Sequence, residues 1–172
     1  YMQEGEALQA QWAGNMEILL GLEVPVIDFD GGLLWDREMT DRAEFVLGAV
    51  HAYPGHGWDC AGLAKERIID LEYRALLALT ENPHIDAIAH PGGVCDKYYT
   101  PVPMPLFEEV VIRATANGIA IEINPAYQIP LAPYWEICCR HGALISPGSN
   151  AHSLAEIGLA RKVLMETVLT SS

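Results

Sequence analysis

Residues 85–93 read IDAIAHPGG, and the fold of the chain follows from how they are read. The stretch from Ile85 to Ala89 is nearly all apolar rather than alternating, which marks a strand covered on both faces. It runs into His90, Pro91, Gly92 and Gly93, residues that stop a strand and leave an imidazole at its C-terminal end. On its upstream side, residues 63–80 predict a long helix, with Leu63, Ile68, Leu71, Leu76, Leu77 and Leu79 contributing an apolar face and Asn82 and Pro83 ending it. On its downstream side, residues 105–116 predict a helix stopped by Asn117 and Gly118.

The same alternation extends outward in both directions. Residues 2–15 predict a helix, and MEILLGLEVPV (16–26) a strand with its exit loop. EFVLGAVHAY (44–53) predicts a second strand, followed by a loop holding Pro54, Gly55 and Gly57. GIAIEINPA (118–126) and GALISPGSNAH (142–152) predict the last two strands, separated by a helix that starts at Pro133 and stops at Gly142. A final helix is expected from Ser153, where Glu156 completes a Ser-x-x-Glu capping box. The expectation is an α/β fold in a single domain, 1–172, built on a parallel sheet. An open doubly wound sheet and a barrel both satisfy this pattern. Glu23, His51, His90, Glu122 with Asn124, and Asn150 with His152 collect at or just past the strand ends, which favours the barrel, whose chemistry sits there. Five strands do not close an eight-strand barrel.

Composition narrows the function. The chain has 172 residues, 51% hydrophobic and 19% charged, a globular balance. Its net charge of −13 repels nucleic-acid phosphates, and a long nucleic acid is not the expected partner. No apolar run has the roughly 20 residues of a membrane helix, and no basic-then-apolar leader opens the chain, so a cytoplasmic location without membrane attachment is expected. The chain opens at Tyr1 rather than Met, and its native start is expected upstream. Cys60, Cys95, Cys138 and Cys139 form no Cys-x-x-Cys pair and read as core thiols.

Glu23, His51, His90 and His152 are one carboxylate and three imidazoles, a donor set suited to zinc, manganese or iron. Taken singly, a histidine is more often structural than a ligand, and Glu23 alone reads as a paired or strand-end carboxylate. Together they are hard to explain as core filling, because each buried one needs hydrogen-bond partners. Glu122 and Asn124 share a strand face and read either as groups holding the ligands or as a structural pair. His56 reads as an exposed loop residue, His84 as a turn residue, and His141 as a cation in a helix's last turn. Asp28 and Asp30 lack the spaced oxygens and closing Glu of a calcium loop. Phosphate loops, Gly-x-Gly-x-x-Gly and Gly-x-Ser-x-Gly are absent from the sequence.

GLEVPV, VLGAVHAY, IDAIAHPGG, IEINPA and HGALISPGSNAHSLAEIG, in that order, resemble successive motifs of the polymerase and histidinol phosphatase (PHP) family along essentially the whole chain. The resemblance implies a distorted, TIM-like seven-stranded barrel, seen here without its first strands, with two or three divalent metal ions at its C-terminal mouth. It implies that Glu23 bridges two metals, that His51 and His90 complete one metal site, and that Asn150 and His152 stand where the family's Ser-Asp-Ala-His motif supplies two further ligands. Asn150 replaces an Asp, and the family's opening His-x-His strand does not occur in this sequence.

The function this implies is metal-dependent hydrolysis of a small phosphate ester, with Glu23 and His152 in catalytic roles. His152 would ligate a metal or serve the leaving group. Two other readings remain open: a degenerate or truncated PHP domain that binds metal or a partner without catalysis, and an amidohydrolase-like enzyme acting on a C–N bond. Exposed barrel edges would predict a homo-oligomer.

Overall fold

The computed structural model describes residues 1–172 apart from 36, 37, 39, 40, 59, 61, 171 and 172, and describes the backbone alone of 167–170. In chain order the described elements are α1 (Met2–Trp12), β1 (Gly21–Pro25), β2 (Phe45–Ala49), α2 (Lys65–Thr80), β3 (Ala87–Ile88), α3 (Gly93–Tyr98), α4 (Met104–Ala116), β4 (Ala120–Ile123), α5 (Ala132–His141), β5 (Ile145–Pro147) and α6 (Leu159–Thr170). The five strands form one sheet in the order β1-β2-β3-β4-β5, every pair parallel. The order never reverses, so these strands contain no switch point of a doubly wound sheet. Parallel crossovers are right-handed, and an unreversed order therefore lays successive helices on the same side. Contacts between α2 and α4 and between α4 and α5 agree with this. Among the described residues β1 and β5 each pair on one side only.

The mixed α/β class and the parallel sheet are as the sequence predicts, and the differences have local causes. The first strand begins at Gly21 rather than Met16. Before it, the backbone is bonded to side chains: Gln9 Nε2 donates to Ile18 O at 2.8 Å, and Leu20 N–H donates to Glu44 Oε2 at 2.9 Å. Helix α1 ends at Trp12 because Ala13 turns extended and Gly14 takes φ +84°. The short helix α3 follows Gly92 at φ +83° and was hidden by the small residues that open it. The Ser153–Glu156 capping box forms, but it caps a 3-10 turn over Leu154–Glu156. Gly158 at φ +80° interrupts that turn, so the last helix starts at Leu159.

The core lies between the sheet and α2, α4 and α5. Leu71, Ala75 and Leu79 from α2 are 0% exposed, as are Val110, Val111 and Ala114 from α4. Leu79 packs where Gly48 of β2 leaves room: a Cβ on Gly48 would stand 2.8 Å from Leu79 Cδ2. Val24 and Val26 enter this core, and strand alternation turns Glu23 to the other face. Cys60, Cys95 and Cys138 are buried thiols as expected, whereas Cys139 is exposed. Leu79→Ala removes a fully buried side chain and is expected to lower unfolding free energy by about 2–5 kcal/mol. Urea denaturation checks this, with a lower midpoint and an unchanged slope as the expected result.

Candidate metal centre

Three of the ligand candidates meet. Glu23 Oε1 lies 2.7 Å from His51 Nε2 and 3.0 Å from His90 Nε2. One ligand atom from each residue falls within 4.8 Å of the other two, and among the described residues this is the one such group of His, Cys, Asp and Glu found. Glu23 is the central residue of β1, not a strand-end residue, whereas His51 and His90 follow β2 and β3. The group is graded in exposure: the side chains of Glu23 and His51 are about one-third exposed, at 34% and 33%, and that of His90 is 5% exposed.

The spacing fits a divalent cation. Ligand atoms about 2.0–2.2 Å from zinc stand roughly 3–4 Å from each other, so small rotations open the triad around an ion. Without an ion the two imidazoles hydrogen-bond to the shared carboxylate, which holds the Glu23 carboxyl well below the ordinary carboxylate range. Burial disfavours a charged His90, but its bond to Glu23 and the nearby Glu122 outweigh burial and raise its pKa. Binding a metal must therefore displace protons from ring nitrogens.

His90 is fixed from beneath. It adopts φ +25°, a conformation that side chains rarely take. Its N–H donates to Glu122 Oε2 at 2.5 Å, and the next free N–H of the loop, on Gly92, donates to Glu72 Oε1 at 3.1 Å. Glu122 thus holds the backbone of His90, a candidate ligand. Asn124 is fully buried with it: its backbone N–H donates to Gln128 Oε1 at 2.9 Å, and its Nδ2 lies 3.5 Å from Glu122 Oε1. Gly148 passes so close to Glu122 that a Cβ there would stand 1.6 Å from Oε1.

Sequence reasoning missed Glu72. It lies on the predicted helix, but only its 1% exposure separates it from a surface glutamate. Burial raises its pKa to about 7, with Asp96 adding to the shift and the Tyr53 hydroxyl and Gly92 N–H opposing it. Its second oxygen and the Tyr53 hydroxyl are both buried and make no direct hydrogen bond.

Asn150 and His152 stand together but outside the triad. Asn150, at φ +44°, donates from Nδ2 to Tyr127 Oη at 2.9 Å, and the Tyr127 ring lies 4.7 Å from that of His90. His152 is exposed, and its Nδ1 lies 2.7 Å from Asn150 O. A carbonyl only accepts, so Nδ1 is the donor in this bond. The remaining candidates stand outside the triad. His56 and His84 are exposed, and His141 pairs with Glu108 at 2.7 Å. Asp28 Oδ1 accepts from Asp30 and Gly32 N–H, closing its own loop.

No protein-family model matches the chain. Among the proteins it is similar to are several named as probable phosphatases. The relative from Acetivibrio thermocellus is 29% identical over 164 residues, covering 90% of this chain and 61% of its own length. That from Caldicellulosiruptor bescii is 26% identical over 152 residues, covering 82% and 55%, and that from Clostridium novyi 29% over 160 residues, covering 87% and 58%. The chain thus spans between 55% and 61% of the length of these curated relatives. No helix among the described residues is long and apolar enough to cross a membrane.

The raised pKa of Glu72 has a definite sign. Below the ordinary value of 4.5 the folded and unfolded carboxyls are both protonated and stability is unaffected. As pH rises toward about 7 the unfolded carboxyl ionises first, so folding is progressively disfavoured, by up to ~3 kcal/mol above that range. Glu72→Gln keeps an acceptor for Gly92 N–H and removes this effect. The variant is expected to gain on the parent protein between pH 4.5 and 7 and to hold a constant advantage above, read from urea denaturation across pH. A gap of opposite sign would show that Glu72 is stabilised as its anion.

Proposed function

We propose that this chain is the metal-binding part of a PHP-type phosphoesterase that hydrolyses a small phosphate monoester. The observation that carries the reading is Glu23 Oε1 lying between His51 Nε2 and His90 Nε2. The names of the relatives support phosphatase chemistry, and the unreversed parallel order supports a sector of the expected distorted barrel.

Glu23, His51 and His90 would hold a divalent cation, zinc, manganese or iron, which when bound supplies a Lewis acid for phosphate oxygens and lowers the pKa of water. Glu23 would contribute charge as well as a ligand atom, and its side chain is about one-third exposed. Glu122 and Glu72 keep the His90 loop in its left-handed turn, so the imidazole arrives already oriented. Asn150 brings a neutral amide where a carboxylate would offset a cation's charge, and its bond to Tyr127 gives that amide a positioning role beside His90. His152, whose Nδ1 is engaged with Asn150 O, would use Nε2 to accept or return the proton exchanged with the leaving group.

Metal analysis tests this. Protein purified without chelator is expected to carry stoichiometric metal, and the Glu23→Ala/His90→Ala double variant to carry none and lose phosphomonoesterase activity by more than about 100-fold. Absence of metal after reconstitution with zinc or manganese would overturn the reading and favour a non-catalytic binding module.

A further inference from the structure

His51 does more than face the triad: it also forms a wall of two adjoining pockets, of about 200 Å³ and 440 Å³. The pockets share Ala52, Tyr53, Gly57 and Trp58 as well. Val94, Tyr98 and Tyr99 close the smaller one, while Ile27 and Leu34 line the larger. Among the described residues, no carboxylate and no Lys or Arg lines either pocket. The cleft therefore offers aromatic and aliphatic surface directly beside the candidate metal centre.

We propose that this cleft is the subsite for an uncharged aromatic group carried by the substrate next to its phosphate. The proposal rests on the phosphoesterase reading and narrows its substrate class. Trp58 is 65% exposed, yet its ring is held nearly parallel to that of His51, at 17° and a centroid distance of 6.3 Å. The Tyr99 hydroxyl donates to Trp58 O at 2.7 Å and fixes the loop that presents the indole. The Tyr53 and Tyr99 rings stand 6.4 Å apart on the inner wall. A cavity of ~150 Å³ suffices for benzene, so the smaller pocket accommodates a single ring. Charged or polyol groups would lose water there without gaining ionic partners, whereas a flat ring replaces that water with offset stacking. The division of labour follows: the metal centre takes the phosphate, and the cleft takes the rest. Hydrolysis then breaks the ester P–O bond, places a water oxygen on phosphorus and releases the aromatic alcohol with the proton returned to its oxygen.

The test uses metal-loaded protein and two esters that both leave as alkyl alkoxides, 2-phenylethyl phosphate and glycerol 1-phosphate. KM for the phenylethyl ester is expected to be at least about tenfold lower. That ratio should fall toward one in Trp58→Ala and persist in Trp58→Phe. A ratio near one in the parent protein, or one that Trp58→Ala leaves unmoved, overturns the subsite while the phosphoesterase reading stands. If neither ester is hydrolysed, the phosphoesterase reading fails, and calorimetry with 2-phenylethylphosphonate and propylphosphonate decides the cleft. A Trp58-dependent preference for the aromatic phosphonate supports it, and equal binding overturns it.

Discussion

The N–H of His90 donating to the buried carboxylate of Glu122 is the contact on which the strand ends depend. It joins the turn after β3 to the middle of β4, and it holds a non-glycine residue at φ +25°. Such a conformation costs of order 1–3 kcal/mol and persists only when its surroundings over-determine it. Here they do. Glu72 secures Gly92, and Gly93 lies so close to Tyr127 that a Cβ would stand 2.9 Å from its ring. Gly148 leaves the space that Glu122 fills. The position of the His90 imidazole is thus set by residues from three separate elements, none of them a ligand.

That support comes from acids kept out of water, which is the costly way to hold a loop. Burial pushes the pKa of both Glu122 and Glu72 upward, while each receives a backbone N–H in return. Glu23 is the opposite case, because two imidazoles favour its anion. The site therefore sorts its carboxylates by depth: the more exposed Glu23 held as its anion, and the buried Glu122 and Glu72 pressed toward neutrality. For a chain of net charge −13, a cation held at Glu23 would also relieve local repulsion.

How much of this was legible in the sequence depended on the range of the signal. Strand–helix alternation is local, so the parallel sheet and most helices could be read from runs such as IDAIAHPGG and from stops such as Asn117 and Gly142. Boundaries set by distant side chains could not: the late start of β1 depends on Glu44 and Gln9 taking the backbone of residues 18–20. Glu23, His51 and His90 were legible as ligand types, and their convergence needed the sheet. Glu72 was not legible, because its spacing on α2 is that of any helical glutamate and its role appears only once Gly92 is placed above it. Nor did the capping box at Ser153 reveal that Gly158 would divide the segment after it.

The unreversed strand order also bears on assembly. Each strand pairs with the one just before it in the chain, so no pairing in the sheet has to wait for a strand beyond the next one. During synthesis the sheet can therefore grow in the direction of translation. Glu23, His51 and His90 belong to β1 and to the residues just after β2 and β3, and can converge once β3 emerges. Glu122 arrives with β4, and Gly148 follows β5. Glu23, His51 and His90 can thus meet with Glu72 already in place beneath Gly92, and the support of the His90 turn is completed only when Glu122 and Gly148 are added.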